Sequence, residues 1–490
     1  MRLLLAALSG ALLALAFPKL NLWWLGWVGL VPFFVLYAVA RPVRPGLTGW
    51  VFGLFFAAGT LYFVGIFGYL PVTALVLQQS VFYWLLGIVL GLAAARGPWA
   101  RTLGFGALWA AMEWVRSLGP LGHTIGALAY SQHAPLVPVQ CAALVGTFGV
   151  SFVIAAVNAS LAALLSRRRS KDPDGLLAPL MFTGLLLMGC LLFGWWRLGA
   201  EGREETGPTC RVGVVQTKVD LGPPGTCGIF SADDFDQHLL ATAAMPRDTH
   251  LIIWPETAVP GSVLPSRLVR GLLESAARKA GAFLLVGRTE REGGKNYNTS
   301  LLFAPEGRLA GRYEKKRLVL FGEYVPLRKQ LSAILKHYPV PLRDYSPGRY
   351  PPVLEAGPAK LGIMICFEAL FPNAAREARN LGANLLVVTT NEGWFGYTAG
   401  SYHPLVASAL RGVENNTPLV RAAKTGVSCF IDSRGRLHEA TGLFEKATVQ
   451  TQFRLAGKPT LYDRLGDLVP IASGVWAVWL VLGAAAARRR

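Results

Sequence analysis

A series of long apolar runs constrains the fold of this 490-residue chain more than any other feature. A helix needs about 20 mostly apolar residues to cross a bilayer. Charged residues make up 16% of the chain, whereas soluble domains contain about 25%. The sequence therefore predicts an α-helical membrane bundle of eight transmembrane helices, near residues 3–17, 22–40, 46–67, 80–95, 102–115, 147–165, 176–196 and 468–487.

The first apolar run has two interpretations. Met1 and Arg2, followed by an apolar run that ends in Ala14-Leu15-Ala16, are also typical of a cleavable signal peptide. We favour a retained helix because a second apolar run follows almost at once. Cleavage would leave the rest of the predicted topology unchanged.

The distribution of charge indicates an orientation in the membrane. The formal net charge is +19, and basic residues cluster at alternate connections between the apolar runs, as at Arg96 and Arg101, at Arg167–Arg169 and at Arg488–Arg490. This is the positive-inside pattern, so we expect both termini in the cytoplasm and the segment before the last helix on the far, periplasmic side of a bacterial inner membrane. Basic residues that follow membrane topology argue against a nucleic-acid partner.

The long segment between the seventh and eighth apolar runs has a different pattern. Short β-branched runs such as 251–254 and 361–366 alternate with helix-like stretches such as 266–280. This alternation predicts a layered α/β domain. We therefore divide the chain into a seven-helix region (1–197), an extracytoplasmic catalytic domain (208–457) and a C-terminal helix with a cytoplasmic arginine tail (466–490).

Three residues with reactive side chains follow apolar strands of this domain. Glu256 stands in Trp-Pro-Glu, Lys315 in Tyr-Glu-Lys, and Cys366 directly after the run 361–365. Functional groups in α/β sheets gather at the carboxyl ends of strands. Each residue alone is more often structural: a helix cap or solvated carboxylate, a solvated basic side chain, and an inert core thiol.

Together, the three residues and their neighbours resemble the nitrilase, or carbon–nitrogen hydrolase, superfamily. The shared sequence motifs are W-P-E, Y-x-K-x-x-L, F-G-E and C-x-E. This resemblance implies an αββα sandwich in which Glu256, Lys315 and Cys366 are catalytic. With seven apolar runs before the domain and one after it, the whole chain resembles the apolipoprotein N-acyltransferase family. Further shared words are Glu113-Trp114-Val115-Arg116, Ala129-Tyr130-Ser131-Gln132 and Asn391-x-x-Trp394-Phe395-Gly396.

The resemblance implies transfer of an acyl chain from a membrane phospholipid to the α-amine of the diacylglyceryl-cysteine of an apolipoprotein. A thioester on Cys366 would be the intermediate, with Glu256 as the base and Lys315 stabilising the oxyanion. We expect a monomer, and no metal or cofactor. Two alternatives stay open: a membrane-tethered amidase acting on a small amide, and a transporter with an inactive appended domain.

Other residues near these motifs each have two interpretations. Glu323 and Glu368 are predicted to support the reaction by orienting Lys315 and the acceptor amine, or else to form a structural ion-pair network. Phe367, Trp394 and Phe395 are predicted either to line the substrate pocket or to pack under a loop. Four residues depart from the family pattern and affect the acyl preference or rate if they line the pocket: Leu320, Phe367, Glu392 and Gly393.

The cysteines other than Cys366 have no pattern that indicates a metal site, since no C-x-x-C or H-E-x-x-H spacing occurs. Cys210 and Cys227 are close enough in sequence to pair in an oxidising compartment, and the sequence leaves that open.

Overall fold

The structure is a computed structural model, and it describes residues 1–38, 42–167, 174–200, 207–217, 232–259, 261–336 and 344–489. The chain divides into two compact units. The first contains residues 1–200 and 464–490, and the second contains residues 201–463. Each unit is described separately below.

The first unit is built from helices. Its α-helices are α1 (Arg2–Ala14), α2 (Val31–Val35), α3 (Pro45–Leu61), α4 (Tyr69–Ala94), α5 (Phe105–Arg116), α6 (Leu136–Val139), α7 (Ala142–Leu165), α8 (Leu177–Gly199) and, at the end of the chain, α15 (Leu468–Arg489). Shorter 3₁₀ or π turns flank them at Trp23–Trp27, Tyr62–Phe67, Ala100–Gly104, Leu128–Gln132 and Asp174–Leu176.

Within the described residues, five helical segments are long and apolar enough to cross a membrane. They are Pro45–Phe67, Tyr69–Ala94, Ala142–Leu165, Leu177–Gly199 and Leu468–Ala487. The remaining predicted spans form shorter helices: residues 3–17 give α1, residues 22–40 give the turn Trp23–Trp27 and α2, and residues 102–115 give a π turn and α5. The apolar helices agree with a membrane protein, while the count of eight spans rests on hydropathy.

In the first unit, buried polar side chains form hydrogen bonds with the non-helical backbone between helices. Asn158 on α7 accepts from the backbone N–H of Leu30 and donates to the carbonyl of Gly26, at 3.0 and 2.9 Å. Gln132 donates to the carbonyl of Trp23 at 2.9 Å and accepts from the indole of Trp27 at 2.7 Å. Non-helical backbone in apolar surroundings needs such partners, because no water is there to satisfy its polar groups.

The second unit contains two six-stranded sheets among its described residues. The first sheet has the order β12-β1-β2-β3-β4-β5 and the second β11-β10-β9-β8-β7-β6. The strands of the first sheet are β1 (Thr209–Gln216), β2 (Leu251–Ile253), β3 (Phe283–Glu292), β4 (Lys295–Phe303), β5 (Leu309–Glu314) and β12 (Ala447–Arg454). The strands of the second are β6 (Val353–Ala356), β7 (Ala359–Ile365), β8 (Leu385–Thr390), β9 (Leu419–Ala423), β10 (Cys429–Ile431) and β11 (Leu437–His438).

The helices of the second unit are α9 (Ala232–Ala243), α10 (Arg267–Ala280), α11 (Ser332–Leu335), α12 (Pro372–Asn380), α13 (His403–Glu414) and α14 (Leu461–Leu465). Of these, α9 and α10 pack on the outer face of the first sheet, and α12 and α13 pack on the outer face of the second. Side chains alternate along each strand: Leu361, Ile363 and Ile365 of β7 face the core between the sheets, whereas Met364 packs under α12 and α13. On the first sheet, Ile252 packs outward under α10. The result is the four-layered αββα sandwich that the resemblance implied.

The parallel strands bring the predicted reactive residues to one edge. In the first sheet β1, β2 and β3 are parallel, and in the second β7, β8 and β9 are parallel. Glu256, Lys315 and Cys366 each follow the carboxyl end of a strand, namely β2, β5 and β7.

Candidate active site

Glu256 lies in the loop that follows β2 and is held at both carboxylate oxygens. Its Oε1 accepts from the side-chain amide of Asn298 at 2.7 Å, and its Oε2 accepts from the backbone N–H of Asn391 at 2.8 Å. Burial raises the pKa of Glu256 above its ordinary value, Lys315 opposes that rise, and the charge of Glu323 adds to it. A carboxylate with a raised pKa is a stronger base at neutral pH than an exposed one.

Lys315 follows β5 and points its amine at two carboxylates. The Nζ atom lies 2.8 Å from Glu323 Oε2 and 3.8 Å from Glu256 Oε1. Burial by itself favours the neutral amine, but Glu323 and Glu256 outweigh it, so the pKa of Lys315 lies above its ordinary value. Lys315 is therefore a fixed cation, which suits stabilisation of an oxyanion.

Asn298 on β4 joins the two carboxylates that contact Lys315. Its Nδ2 donates to Glu256 Oε1 at 2.7 Å and to Glu323 Oε1 at 2.8 Å. Tyr297-Asn298 is one of the short motifs shared with the family that the sequence resembles, but no role could be predicted for Asn298, because its two carboxylate partners are distant in the chain. Glu323 is held further by the backbone N–H of Val319, which donates to its Oε2 at 2.8 Å.

Cys366 stands at a sharp turn directly after β7. Its φ of +53° is in the left-handed region, which a residue with a Cβ rarely adopts. Burial raises the pKa of its thiol to about 11; Glu256 adds to the rise, whereas Lys315 and a hydrogen bond from the side chain of Thr390 oppose it. The sulfur is therefore protonated at neutral pH and needs a base to become a nucleophile.

Glu368 ties the turn at Cys366 to the segment that carries Lys315. Its Oε2 accepts from the backbone N–H of Ile365 at 2.8 Å, and its Oε1 accepts from the backbone N–H groups of Lys316 and Arg317 at 2.8 and 3.1 Å. The phenol of Tyr313 donates to the same carboxylate at 2.9 Å. Glu323 thus contacts Lys315 directly, whereas Glu368 contacts the backbone beside it.

The three predicted aromatic residues have different surroundings. Phe367 is half-buried, with its ring centroid 5.2 Å from that of Phe371. Trp394 is 39% exposed in the short turn Gly393–Phe395, and Phe395 is half-buried. An exposed tryptophan beside the loop of Asn391 is accessible to a substrate, whereas Phe367 packs at least partly on its neighbour.

The question of whether Cys210 and Cys227 pair concerns a residue outside the described part of the chain. Cys227 is not among the described residues, and Cys210 is buried in β1 with a free thiol. The described residues contain no group of histidine, cysteine and carboxylate side chains that could hold a metal ion.

The fold and this edge of the sandwich define a class of protein. A family model described as "Carbon-nitrogen hydrolase" matches residues 232–457, so the second unit is a carbon–nitrogen hydrolase domain. A model described as "Apolipoprotein N-acyltransferase N-terminal domain" matches residues 9–160. A solved amidase of the nitrilase superfamily from Nesterenkonia has a TM-score of 0.39 and 23% identity, covering 50% of this chain and 90% of its own.

Curated relatives extend the similarity to almost the whole chain. The apolipoprotein N-acyltransferase of Geobacter metallireducens is 32% identical, covering 99% of this chain and 95% of the relative. The apolipoprotein N-acyltransferase of Caulobacter vibrioides is 30% identical, covering 99% of this chain and 94% of the relative. The chain belongs to the apolipoprotein N-acyltransferase family.

Proposed function

We propose that this protein transfers an acyl chain from a membrane phospholipid to the N-terminal α-amine of diacylglyceryl-cysteine in apolipoproteins. The observation that carries the proposal is the meeting of Glu256, Lys315 and Cys366 at one buried edge, in a chain similar along its length to proteins named apolipoprotein N-acyltransferase. Both proposed substrates are anchored in a membrane. An enzyme that acts on them needs membrane helices, whereas an amidase acting on a soluble amide does not.

The first half of the reaction makes a thioester. Glu256 takes the proton of the Cys366 thiol as the sulfur attacks the carbonyl carbon of the phospholipid ester. Lys315 stabilises the resulting oxyanion, with a backbone N–H near Cys366 as a second donor. The tetrahedral intermediate collapses, the ester C–O bond breaks, and Glu256 returns its proton to the departing glycerol oxygen.

The second half makes an amide. The neutral α-amine of the apolipoprotein attacks the thioester carbonyl, and Glu256 removes a proton from the attacking nitrogen. The C–S bond then breaks, the amide is formed, and the sulfur leaves as a thiolate that regains a proton from Glu256. An amine is a better nucleophile than water toward a thioester, and a lipid-lined pocket excludes water, so transfer is favoured over hydrolysis.

Two carboxylates support these steps in different ways. Glu323 orients the Lys315 amine through their 2.8 Å contact. Glu368 keeps the backbone after Lys315 at a constant distance from the turn at Cys366. The substrate-binding roles of Phe367, Trp394 and Phe395 belong to the same proposal, with the exposed Trp394 the best placed to touch a lipid chain.

The arrangement in the membrane is also part of the proposal. We place the protein in the bacterial inner membrane with eight spans, both termini in the cytoplasm and the catalytic domain in the periplasm. The supporting observations are the alternating basic connections and the parity of the apolar runs. We expect a monomer, since one site serves both halves of the reaction, and no cofactor.

The test is the intact mass of the purified protein after incubation with a defined phosphatidylethanolamine. We expect a mass gain equal to one acyl chain, removed by neutral hydroxylamine and absent from Cys366→Ala. Glu256→Gln is expected to lose the adduct while keeping a free thiol on Cys366, since the base is removed and the nucleophile is not.

Two other outcomes would contradict the proposal. A folded protein that forms no adduct but releases ammonia from simple amides would be a membrane-tethered amidase. A protein with neither reaction, in which Cys366→Ala has no consequence, would favour a transport or binding role.

A further inference from the structure

Thr390, the last residue of β8, lies beside the Cys366 turn. Strands β7 and β8 are parallel, with Ile365 opposite Thr389. Cys366 follows Ile365 and Thr390 follows Thr389, so these two residues are neighbours across the strands. Thr390 is fully buried. Its hydroxyl donates to Glu392 Oε1 at 3.2 Å, and the register of β7 and β8 places its side chain beside Cys366, where it lowers the pKa of the thiol.

A buried ion pair stands behind Thr390. Arg421 on β9 contacts the same Glu392 Oε1, and both side chains are almost completely buried. The Arg421 guanidinium is held by Ser408 Oγ and by the carbonyl of Val427, at 3.3 and 3.2 Å. On the other side of Glu392, a Cβ at Gly426 would overlap Oε2. Arg421 and Thr390 therefore both contact Oε1 of this carboxylate, while the absence of a side chain at Gly426 leaves room for Oε2.

A hydroxyl has one proton to donate and turns about its C–O bond to choose an acceptor. Thr390 has two acceptors within reach, the Glu392 carboxylate and the sulfur of Cys366. Arg421 already satisfies the charge of Glu392, so the carboxylate competes weakly for the hydroxyl proton once the sulfur becomes an anion.

We propose that Thr390 is a further catalytic residue: its hydroxyl moves its hydrogen bond from Glu392 to the sulfur of Cys366 whenever the thiol proton has passed to Glu256. The Glu392–Arg421 pair positions Thr390 for this exchange. The role in turnover rests on the proposed function, because negative charge develops on the sulfur twice there, as it loses its proton and attacks the ester and as it leaves the thioester.

Other charged groups also act on the sulfur and are the same in every variant compared. In the described residues they are Glu256, Lys315 and Glu323, with Arg421 acting from β9. The thiol pKa of about 11 already includes the opposing effect of Thr390. Removing the hydroxyl is expected to raise that pKa further.

The experiment follows alkylation of Cys366 by iodoacetamide in the full-length protein from pH 7 to 10, without any lipid. The product is measured on the tryptic peptide 361–376, in which Cys366 is the only cysteine. Thr390→Val keeps the shape of the side chain and removes the hydroxyl. We expect it to react about tenfold more slowly at each pH, as for a pKa raised by about one unit.

Thr390→Ser is the matched control, because it keeps the hydroxyl and loses only a methyl group. We expect its rate to stay within about threefold of the parent rate. Equal rates for the parent and Thr390→Val, or an equal loss in both variants, would overturn the assignment. The second result would indicate packing rather than a hydrogen bond.

The part played by Glu392 is tested by combining Thr390→Val with Glu392→Gln. Independent positions give rate effects that multiply, whereas positions in one hydrogen-bond network do not. We expect a departure from multiplication of at least about threefold, and simple multiplication would remove Glu392 from the proposal. Because alkylation uses no lipid, a protein that shows the Thr390 effect but forms no acyl adduct would refute the proposed function alone.

Discussion

Asn298 affects the charge state of two carboxylates in the candidate site. One neutral amide group donates to two buried carboxylates, Glu256 and Glu323, which also face the single amine of Lys315. A donor shared between two like charges stabilises both ionised forms, since a hydrogen bond to a carboxylate favours the charged state. The charge state of the proposed base therefore depends on a residue that never contacts the sulfur in the proposed mechanism.

Asn298→Leu is expected to shift the pH dependence of acyl-enzyme formation. Glu256 must be deprotonated to act as a base, so the rate rises with pH through the pKa of Glu256. Burial already raises that pKa, and loss of the amide donor raises it further. We expect the acid limb of the profile to move upward by about one pH unit, measured by the initial rate of adduct formation.

Asn384→Leu provides the comparison for that experiment. Asn384 precedes β8 at its amino end, where it accepts from the backbone N–H of Lys360 at 2.8 Å. Its loss removes hydrogen bonds to exposed backbone at the opposite edge of the sheet, far from the carboxylates that Asn298 contacts. A limb that moves equally in both variants, or in neither, would contradict the role of Asn298.

At the scale of elements, the loop that carries Glu256 depends on a glycine in the neighbouring strand. Gly287 of β3 lies directly under this loop, and its carbonyl accepts from the backbone N–H of Ala258 at 2.8 Å. A Cβ at Gly287 would lie 2.7 Å from Glu256 Cα. The strand and the loop can approach this closely only because position 287 has no side chain.

Gly287→Ala is therefore expected to displace Glu256 and to lower stability. We expect a destabilisation of about 1–3 kcal/mol, typical of overpacking, and a loss of at least about tenfold in the rate of adduct formation, because the proposed base moves. Thermal unfolding and the intact-mass assay measure the two effects.

Gly271→Ala is the matched control. Gly271 lies in α10, and a Cβ there would meet nothing within 4 Å. Since alanine is the better helix former by up to about 1 kcal/mol, we expect an unchanged or higher melting temperature and unchanged activity. Equal behaviour of the two alanine variants would show that the contact at Gly287 is not limiting.

At the scale of the whole molecule, the proposed orientation places the catalytic domain and the C-terminal arginine tail on different sides of the membrane. Lys295 is the exposed first residue of β4, directly after the turn that joins β3 to β4 in the second unit. In spheroplasts, a membrane-impermeant maleimide is expected to label Lys295→Cys directly and Arg489→Cys only after permeabilisation, because the arginine tail is predicted to be cytoplasmic.

The parent protein gives the background for this labelling, since it retains its own cysteines, of which Cys210 and Cys429 are buried. Direct labelling of Arg489→Cys in closed spheroplasts would contradict the orientation. Labelling of both positions from outside would mean that they lie on the same side of the membrane. That result would contradict the single proposed span between them and the total of eight spans.

Much of the site could be predicted from the sequence because its reactive groups lie in short sequence motifs. Trp-Pro-Glu, Tyr-Glu-Lys and Cys-Phe-Glu each combine a strand end with one reactive side chain. The alternation of short β-branched runs with helix-like stretches similarly predicted the α/β layers, since each run is recognised from neighbouring residues. The apolar runs predicted a membrane protein for the same reason, because hydropathy sums over neighbouring residues.

The tertiary structure alone decided which residues surround those reactive groups. Asn298 and Arg421 lie on β4 and β9, and their carboxylate partners come from distant segments of the chain, so the sequence around each residue does not show these contacts. The same holds in the first unit, where Asn158 and Gln132 satisfy backbone that leaves the helix within apolar runs. Hydropathy measures transfer from water, whereas the path of the backbone depends on hydrogen-bond partners that only folding brings together.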